Sequence, residues 1–463
     1  GGSKNMNEKK QFYGKTLGPW IPIIVMIVGM IASVILGSGG LLRFSLFGFF
    51  GLVVGLFLAK DKKHYGDILM AGLQNHMLAV IIMAFLLAGV LSQLLKMSGL
   101  INGLIWAMSI LHLPTGFIPV IAFLTCVLIS TACGTSSGSV TAVAPVLVPL
   151  AASLDCNVGL VCGAIISGAI FGDNLAPISD TTIGSALTQE AKINEVVATR
   201  LPYSLIAGAI SAVLFIIMGL STTVEQAANI QMDSSDAKAL VLLIIPIIMI
   251  VMMKKGWGLV PTLLICNVTG ILINLILGCI SVETMLSETG PILAGMTGML
   301  NIILFIMLLF GILEILNQTG SFDKLLNGLV KICKTPRSAE LVCMLASAIG
   351  SLASGGSSTA VMFFGPMVKE IMRKFKIDRN RGANFLDATA CAVTGLMPYG
   401  TPCMLAISFA VQCEGVSPAF SFKDIMPYNY HCIFLFLIFL LSAITGIGRK
   451  YEKEASALDS SEA

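Results

Sequence analysis

Apolar residues run through this chain in long blocks, and polar positions gather in the short breaks between them. The blocks fall near 18–37, 41–59, 76–96, 116–133, 136–153, 157–188, 202–220, 239–253, 257–278, 297–317, 338–353, 356–371, 382–412 and 427–447. Nothing ionisable at neutral pH except histidine lies between Met97 and Leu154, from Ile68 to Leu95, from Ala388 to Cys413, or from Ile425 to Gly448. A helix needs about 20 apolar residues to cross a hydrocarbon core. Most of these blocks are that long or close to it, so the pattern predicts an all-α, polytopic membrane protein.

Composition sharpens that picture. Of 463 residues, 56% are apolar and 11% charged, against about 25% charged in an ordinary soluble domain. A secreted domain, a nucleic-acid binder and a cytosolic enzyme are excluded. The net charge of +3 is too small to point to a partner. The twelve cysteines include Cys126, Cys133, Cys162, Cys266, Cys279 and Cys391 inside apolar runs, where they read as small hydrophobes. No CxxC or Cys/His metal spacing occurs. His64, His76, His112 and His431 all lie at block ends and read as interfacial. The polar start leads into a full-length apolar stretch, so no cleavable signal is expected. Gly1-Gly2-Ser3 reads as a cloning remnant, and the tail after Arg449 as disordered.

Sliding the chain on itself by 221 residues aligns its most unusual parts. Gly134-Thr135-Ser136-Ser137 falls on Gly355-Gly356-Ser357-Ser358, and Pro145 on Pro366. Ala169, Leu175 and Pro177 meet Ala390, Leu396 and Pro398; Gly99 and Leu104 meet Gly320 and Leu325. The chain therefore reads as two repeats, 16–220 and 239–447, with tails 1–15 and 448–463 and a linker 221–238.

Charge orients the copies, because Lys and Arg favour cytoplasmic loops. In the first copy the link after the second block is Lys60-Asp61-Lys62-Lys63, and the link before it carries only Arg43. The second copy reverses this, with Lys254-Lys255 after its first block and Glu283 and Glu288 after its second. The linker holds Glu225, Asp233 and Asp236 against Lys238. Lys4, Lys9, Lys10 and Lys15 precede the first block, and Arg449, Lys450 and Lys453 follow the last. Both termini are expected to be cytoplasmic, the linker external and the repeats inverted. The basic groups around 324–337 and 369–381 then fall inside whether each short pair of blocks is a re-entrant hairpin or two crossings. The Gly-Ser break favours the hairpin.

Irregular backbone inside a membrane survives only where protein or a cavity covers it. Four such islands occur, two per copy. The hairpin tips carry Thr135, Ser136 and Ser137, and Ser357, Ser358 and Thr359, each set opening a new helix whose free N–H groups suit an anion. The other two islands interrupt long blocks, at Gly172–Thr182 and Thr394–Pro402, where Pro177 and Pro398 break the helical ladder and free carbonyls. Paired discontinuous helices in inverted halves point to a transport site near the midplane. Packing and back-bonding explain isolated Ser and Gly in membrane helices well, but not matched islands. An intramembrane acid is functional by default, which singles out Asp173 and Asp180, whose counterparts are Thr394 and Thr401. Asn174, Ser179, Thr181 and Thr182 share their island. Asp387 and Glu314 stay open between a coupling and a structural role. No intramembrane Lys or Arg is expected as an anion partner.

The run Gly163–Thr182, with its Gly-Asp-x-x-x-Pro-x-Ser-Asp-Thr-Thr element, resembles the signature of the NhaC-type sodium/proton antiporters. Gly134-Thr135-Ser136-Ser137-Gly138 is similar to that family's Gly-Thr-Ser-Trp-Gly element, with Ser137 in place of tryptophan, and Asn174 stands where a lysine is common. The resemblance extends over the whole chain in layout. It implies the ion-transporter superfamily fold: inverted repeats, each with a re-entrant hairpin and a broken helix, often dimeric, with an elevator motion of the site-bearing part. It also implies sodium coupling; similar members carry malate, lactate or amino acids.

The leading expectation is a secondary transporter exchanging Na⁺ for H⁺, with Asp173 and Asp180 binding both ions alternately. Its alternative is Na⁺-coupled transport of a small carboxylate or amino acid, with Na⁺ on the tip hydroxyls and unwound carbonyls. A passive channel needs a continuous polar pore rather than islands. An intramembrane hydrolase using Asp173 and Asp180 would leave the acid-free second island without a role. No cofactor is expected beyond Na⁺ as coupling ion, and no nucleic acid.

Overall fold

The computed structural model describes residues 12–14, 17–35, 41–110, 114–221, 234–321, 328 and 331–452. The N-terminal cations, His112, most of the linker including Glu225 and Asp233, Lys324 and Lys453 lie outside the described residues. Regular structure among the described residues is helical, and two isolated bridges, Phe12–Ala59 and Ile377–Tyr451, form no strand. Eight helical stretches among them are long and apolar enough to cross a membrane, and a ninth if the pair Phe422–Tyr428 and Tyr430–Thr445, bent by 59°, counts as one span.

Each half has a hairpin, a broken helix and a closing helix. The first hairpin is Ile118–Cys133 with Ser136–Ser153, its broken helix Val158–Leu175 with Asp180–Thr188, and its closing helix Ile193–Ser221. The second hairpin is Pro336–Ser354 with Ser357–Lys374, its broken helix Arg379–Leu396 with Thr401–Ala410, and its closing helix Tyr430–Thr445. Adding 221 to 136–153 and to 158–175 gives 357–374 and 379–396, so these helices match end for end.

The same local chemistry sets the matching ends. Gly134 (φ 68°) and Gly355 (φ 72°) close the outgoing hairpin helices in the left-handed region, which glycine enters without the Cβ clash. Asn157 and Asp378 cap the two broken helices, each side chain accepting a backbone N–H of the first turn. Ser130 Oγ donates to the Ala169 carbonyl at 2.6 Å, and Ser351 Oγ to the Ala390 carbonyl at 3.2 Å. Those two bonds tie each hairpin to its own broken helix at equivalent positions.

Packing across the halves is exchanged. The return helix of the first hairpin packs on the short segment 401–410 of the second half, and the return helix of the second packs on 180–188 of the first. The flanking helices pack on one another, with Leu41–Leu58 on Leu300–Gln318 and His76–Met97 on Leu259–Ile276 and Pro291–Gly298, and His76–Met97 also packs on the return helix Ser136–Ser153 of the first hairpin. A Cβ on Gly89 would lie 2.2 Å from the Gly295 carbonyl, so backbone meets backbone there.

The first tip also decides between hairpin and helix pair. A Cβ on Gly134 would meet Ile178 at 2.8 Å and the Ser179 nitrogen at 3.0 Å. Those residues sit in the interior of the 31-residue crossing Val158–Thr188. A tip that meets the middle of a crossing has entered only partway, so the hairpin is re-entrant. Several helical stretches exceed the apolar blocks, among them Tyr65–Leu73, Leu100–Ile110, Pro291–Gly298 and the first closing helix, which begins at Ile193 rather than at 202.

Candidate functional site

Proline fixes where the broken helices stop. Ala176–Ser179 separate the two parts of the first and Met397–Gly400 those of the second, with Pro177 and Pro398 inside the breaks. The last-turn carbonyls lose their helical partners and are met by side chains from the closing helices. Arg200 Nη1 donates to the Asn174 carbonyl. At the equivalent position, Asn429 Nδ2 donates to the Gly395 carbonyl at 2.6 Å.

Asp173 lies one residue before that capped carbonyl and is buried. Ser179 Oγ donates to its Oδ1 at 2.7 Å, and the Ser136 hydroxyl and N–H of the first tip face it as well. Among the described residues its hydrogen-bond partners are hydroxyls and an amide, none of them a cation. Ser179 Oγ lies 3.0 Å from Thr181 Oγ1, and Cys391 Sγ lies 3.6 Å from Thr181 Oγ1 and 3.1 Å from Asp387 Oδ1. A polar chain thus joins Asp173 to Asp387 across the two halves.

Asp387, left open between a coupling and a structural role, is fully buried and lies at the far end of this polar chain. Thr182 Oγ1 donates to its Oδ2 at 3.2 Å, and Arg200 Nη1 forms an ion pair with the same oxygen. Arg200 Nε donates to Asn384 Oδ1 at 3.0 Å, and Asn384 Nδ2 to Thr199 Oγ1 at 2.9 Å. Arg200 overturns the expectation that no arginine lies within the membrane part of the fold. Its guanidinium is tolerated because a carboxylate and carbonyls surround it. Arg200 Nη2, Asn174 Nδ2 and the hydroxyls of Thr389 and Thr394 are buried without a hydrogen-bond partner among the described residues.

The remaining expected residues divide. Thr135 caps the return helix of the first tip, accepting from the Gly138 N–H at 3.4 Å, and Ser137 beside it is half-buried. At the second tip Ser357 is buried and Ser358 and Thr359 are half-buried. Thr394 is buried where Asp173 has its counterpart, and Thr401 is half-buried at the start of the second short segment. Asp180 is exposed, with Pro177 and Ile178 beside it. A carboxylate does not face lipid, so this side of the break opens to water, and Asp173 and Asp180 occupy different surroundings. Glu314 is not in the site; it bonds Gln318 at 2.7 Å and Asn317 at 3.2 Å on its own helix. Beyond the first short segment, Lys369 Nζ lies 2.6 Å from Glu190 Oε1 and holds that carboxyl below its ordinary range.

Sequence reasoning missed Arg200, Asn429 and the role of Cys391, which is a hydrogen-bonded thiol of the site as well as a small buried side chain. It also placed His431 at an interface, whereas His431 is fully buried against Phe171, with ring centroids 5.1 Å apart. The signal for Arg200 was helical periodicity. Val196, Arg200, Ser204, Ala207, Ser211, Phe215 and Gly219 are buried along the closing helix at three- and four-residue spacing, with Gly208 beside Ala207. An apolar block begun at 202 cuts that stripe short.

The family model described as the Na⁺/H⁺ antiporter family matches residues 13–220 and again 222–447, once per half. The chain is 25% identical over 405 residues to the Na⁺/H⁺ antiporter NhaC of Bacillus subtilis, covering 82% of this chain and 86% of that protein. It is 23% identical to the NhaC antiporter of Alkalihalophilus pseudofirmus, covering 86% and 88%. A malate-2H⁺/Na⁺-lactate antiporter of Bacillus subtilis is 30% identical over 37% of this chain and 36% of its own length. With the family model spanning both halves, and with relatives that are transporters rather than enzymes, this multi-pass membrane protein belongs to the Na⁺/H⁺ antiporter family.

Proposed function

We propose that the protein exchanges Na⁺ for H⁺ by alternating access, with Asp173 as the shared ion-binding carboxylate. The observation that carries this reading is Asp173 itself, buried between hydroxyl and amide groups with no cation bonded to it among the described residues. A buried carboxylate without a counter-charge costs several kcal/mol, so it is held neutral by a proton or by a metal cation. Ser179, Ser136 and Thr181 supply the hard oxygen ligands that Na⁺ accepts, and the relatives' names support Na⁺ and H⁺ as the ions. Hairpins and broken helices move together against the flanking helices, both termini are cytoplasmic, and exposed Asp180 lines the approach to the site.

The test is proteoliposomes holding a trapped pH dye under an imposed Na⁺ gradient. A Na⁺-dependent pH change is expected, lost in Asp173→Asn while the variant stays monodisperse. A full response in that variant would remove Asp173 from the mechanism. A second reading, Na⁺-coupled transport of a small carboxylate, is favoured by one observation: Arg200 Nη2 and Asn174 Nδ2 are buried donors without partners. Under it the dye stays silent, and malate or lactate raises the melting temperature only when Na⁺ is present.

A further inference from the structure

Among the described residues five Asp, Glu, Lys or Arg side chains are buried: Asp173, Arg200, Glu340, Arg381 and Asp387. Glu340 and Arg381 pair with each other at 2.5 Å, and Arg449 adds a contact to Glu340 at 2.6 Å. That leaves two carboxylates and one guanidinium for the site. Asp387 is occupied on both oxygens, by Arg200 and Thr182 on one and Cys391 on the other. Arg200 in turn is anchored at several points, to the Asn174 carbonyl, Asn384, Thr182 and Asp387. It belongs to the first half and Asp387 to the second, so the pair also joins the halves.

From this charge arrangement we infer that Arg200 is a tethered cation that stays on Asp387 through the cycle, so that the site carries a single uncompensated negative charge. Arginine is always protonated and offers fixed donors, which makes it a permanent occupant where Na⁺ would be an exchangeable one. Asp387 is thereby withdrawn from ion exchange, and one monovalent cation neutralises the site. This inference rests on the assignment of Asp173 above. If Na⁺ travels one way and one H⁺ the other on that same residue, the moving part carries the same net charge in both directions. Exchange is then one for one and insensitive to voltage. Arg200 acts through Asp387 and is a positioning residue.

The experiment is the same proteoliposome with K⁺ and valinomycin setting the membrane potential. A turnover moving one net charge would have its equilibrium shifted about fiftyfold per 100 mV. For the wild-type protein, a Na⁺-driven pH change that balances at the same Na⁺ ratio with and without the potential is expected, with a single-site Na⁺ dependence. A shift of that balance with voltage overturns the inference while leaving Asp173 exchange standing. Absence of any Na⁺-driven pH change in the wild type sinks the exchange reading itself, and this inference with it. Arg200→Gln leaves Asp387 without its cation and open to exchange on its own account, so the Na⁺ dependence should steepen while two Na⁺ against two H⁺ keep the balance insensitive to voltage; an unchanged single-site Na⁺ dependence would make Arg200 merely structural. Should that variant fail to fold, Arg200→Gln with Asp387→Asn removes both charges together. Slower exchange that keeps a single-site Na⁺ dependence is expected there, and a steepened dependence in the double variant would overturn the idea.

Discussion

The two broken helices share a skeleton and differ in what hangs on it. Both are capped by an Asn or Asp side chain, both stop at a proline, and both have a last-turn carbonyl held by a side chain. In the first half that side chain is Arg200, and in the second it is the neutral Asn429. Asp173 in the first half corresponds to Thr394 in the second, and Ser179 to Gly400. The tips differ too: the first is pressed against the break at Ile178 and Ser179, whereas added Cβ atoms on Gly355 and Gly356 would meet nothing within 4 Å. Duplication supplies two matched breaks, and divergence places a buried carboxylate at the last turn before only one of them. Symmetry therefore accounts for geometry and asymmetry for chemistry.

Grafting one half's chemistry onto the other is the strongest way to break that contrast. Asp173→Thr copies the second half's residue into the first and removes the uncompensated carboxylate. Losing the partner of a buried charge is worth about 3–5 kcal/mol, so Na⁺ affinity should fall about 100-fold or more at 1.4 kcal/mol per decade. Adding Thr394→Asp should not restore it. The transplanted acid would meet Gly400 where Asp173 meets Ser179, and it would lie without that hydroxyl ligand. Na⁺ binding by calorimetry reads both steps, and recovered affinity in the double variant would mean that the halves are interchangeable after all.

The tips allow a smaller, structural contrast. Gly134 and Gly355 are both in the left-handed region, so alanine at either costs about 1 kcal/mol in backbone strain. Only Gly134 adds contacts inside 3.0 Å, to Ile178 and to the backbone carbon and nitrogen around Ser179. Gly134→Ala should destabilise by about 2–3 kcal/mol, overpacking included, and Gly355→Ala by the strain alone. Melting temperatures of the purified variants check this; equal losses would show that the second tip is packed as tightly as the first.

Most of this fold can be read from the chain because glycine and proline act locally. Gly134, Gly355, Pro177 and Pro398 mark tips and breaks without reference to anything distant. Asp173 was equally visible, since a carboxylate in an apolar run stands out by cost alone. The counter-charge was not, because Arg200 lies 187 residues from Asp387 and seven residues inside a helix whose apolar stretch begins just after it. Asn429 was hidden differently: its contacts run to Gly395 and to Ser167, 262 residues away, at a bend that only tertiary packing creates. Local signals located the site, and long-range pairing decided its charge.

The finest contrast lies in the two serine bonds that repeat at the same place. Ser130 Oγ reaches the Ala169 carbonyl at 2.6 Å and Ser351 Oγ the Ala390 carbonyl at 3.2 Å. Both are buried, and each joins an outgoing hairpin helix to the broken helix beside it. A buried hydrogen bond of this kind contributes about 1 kcal/mol net, so Ser130→Ala and Ser351→Ala should lower stability by similar small amounts. Ser130 should cost slightly more, since its bond is shorter and its hydroxyl also lies 3.5 Å from the Thr135 carbonyl at the tip. Because Ser130 holds the hairpin that presents Ser136 to Asp173, its loss should also weaken Na⁺ binding a few-fold, whereas Ser351→Ala should leave Na⁺ affinity where it was. A matched loss of affinity in both variants would mean that the second hairpin bears on the ion as directly as the first, and the division between a charged half and a neutral half would fall.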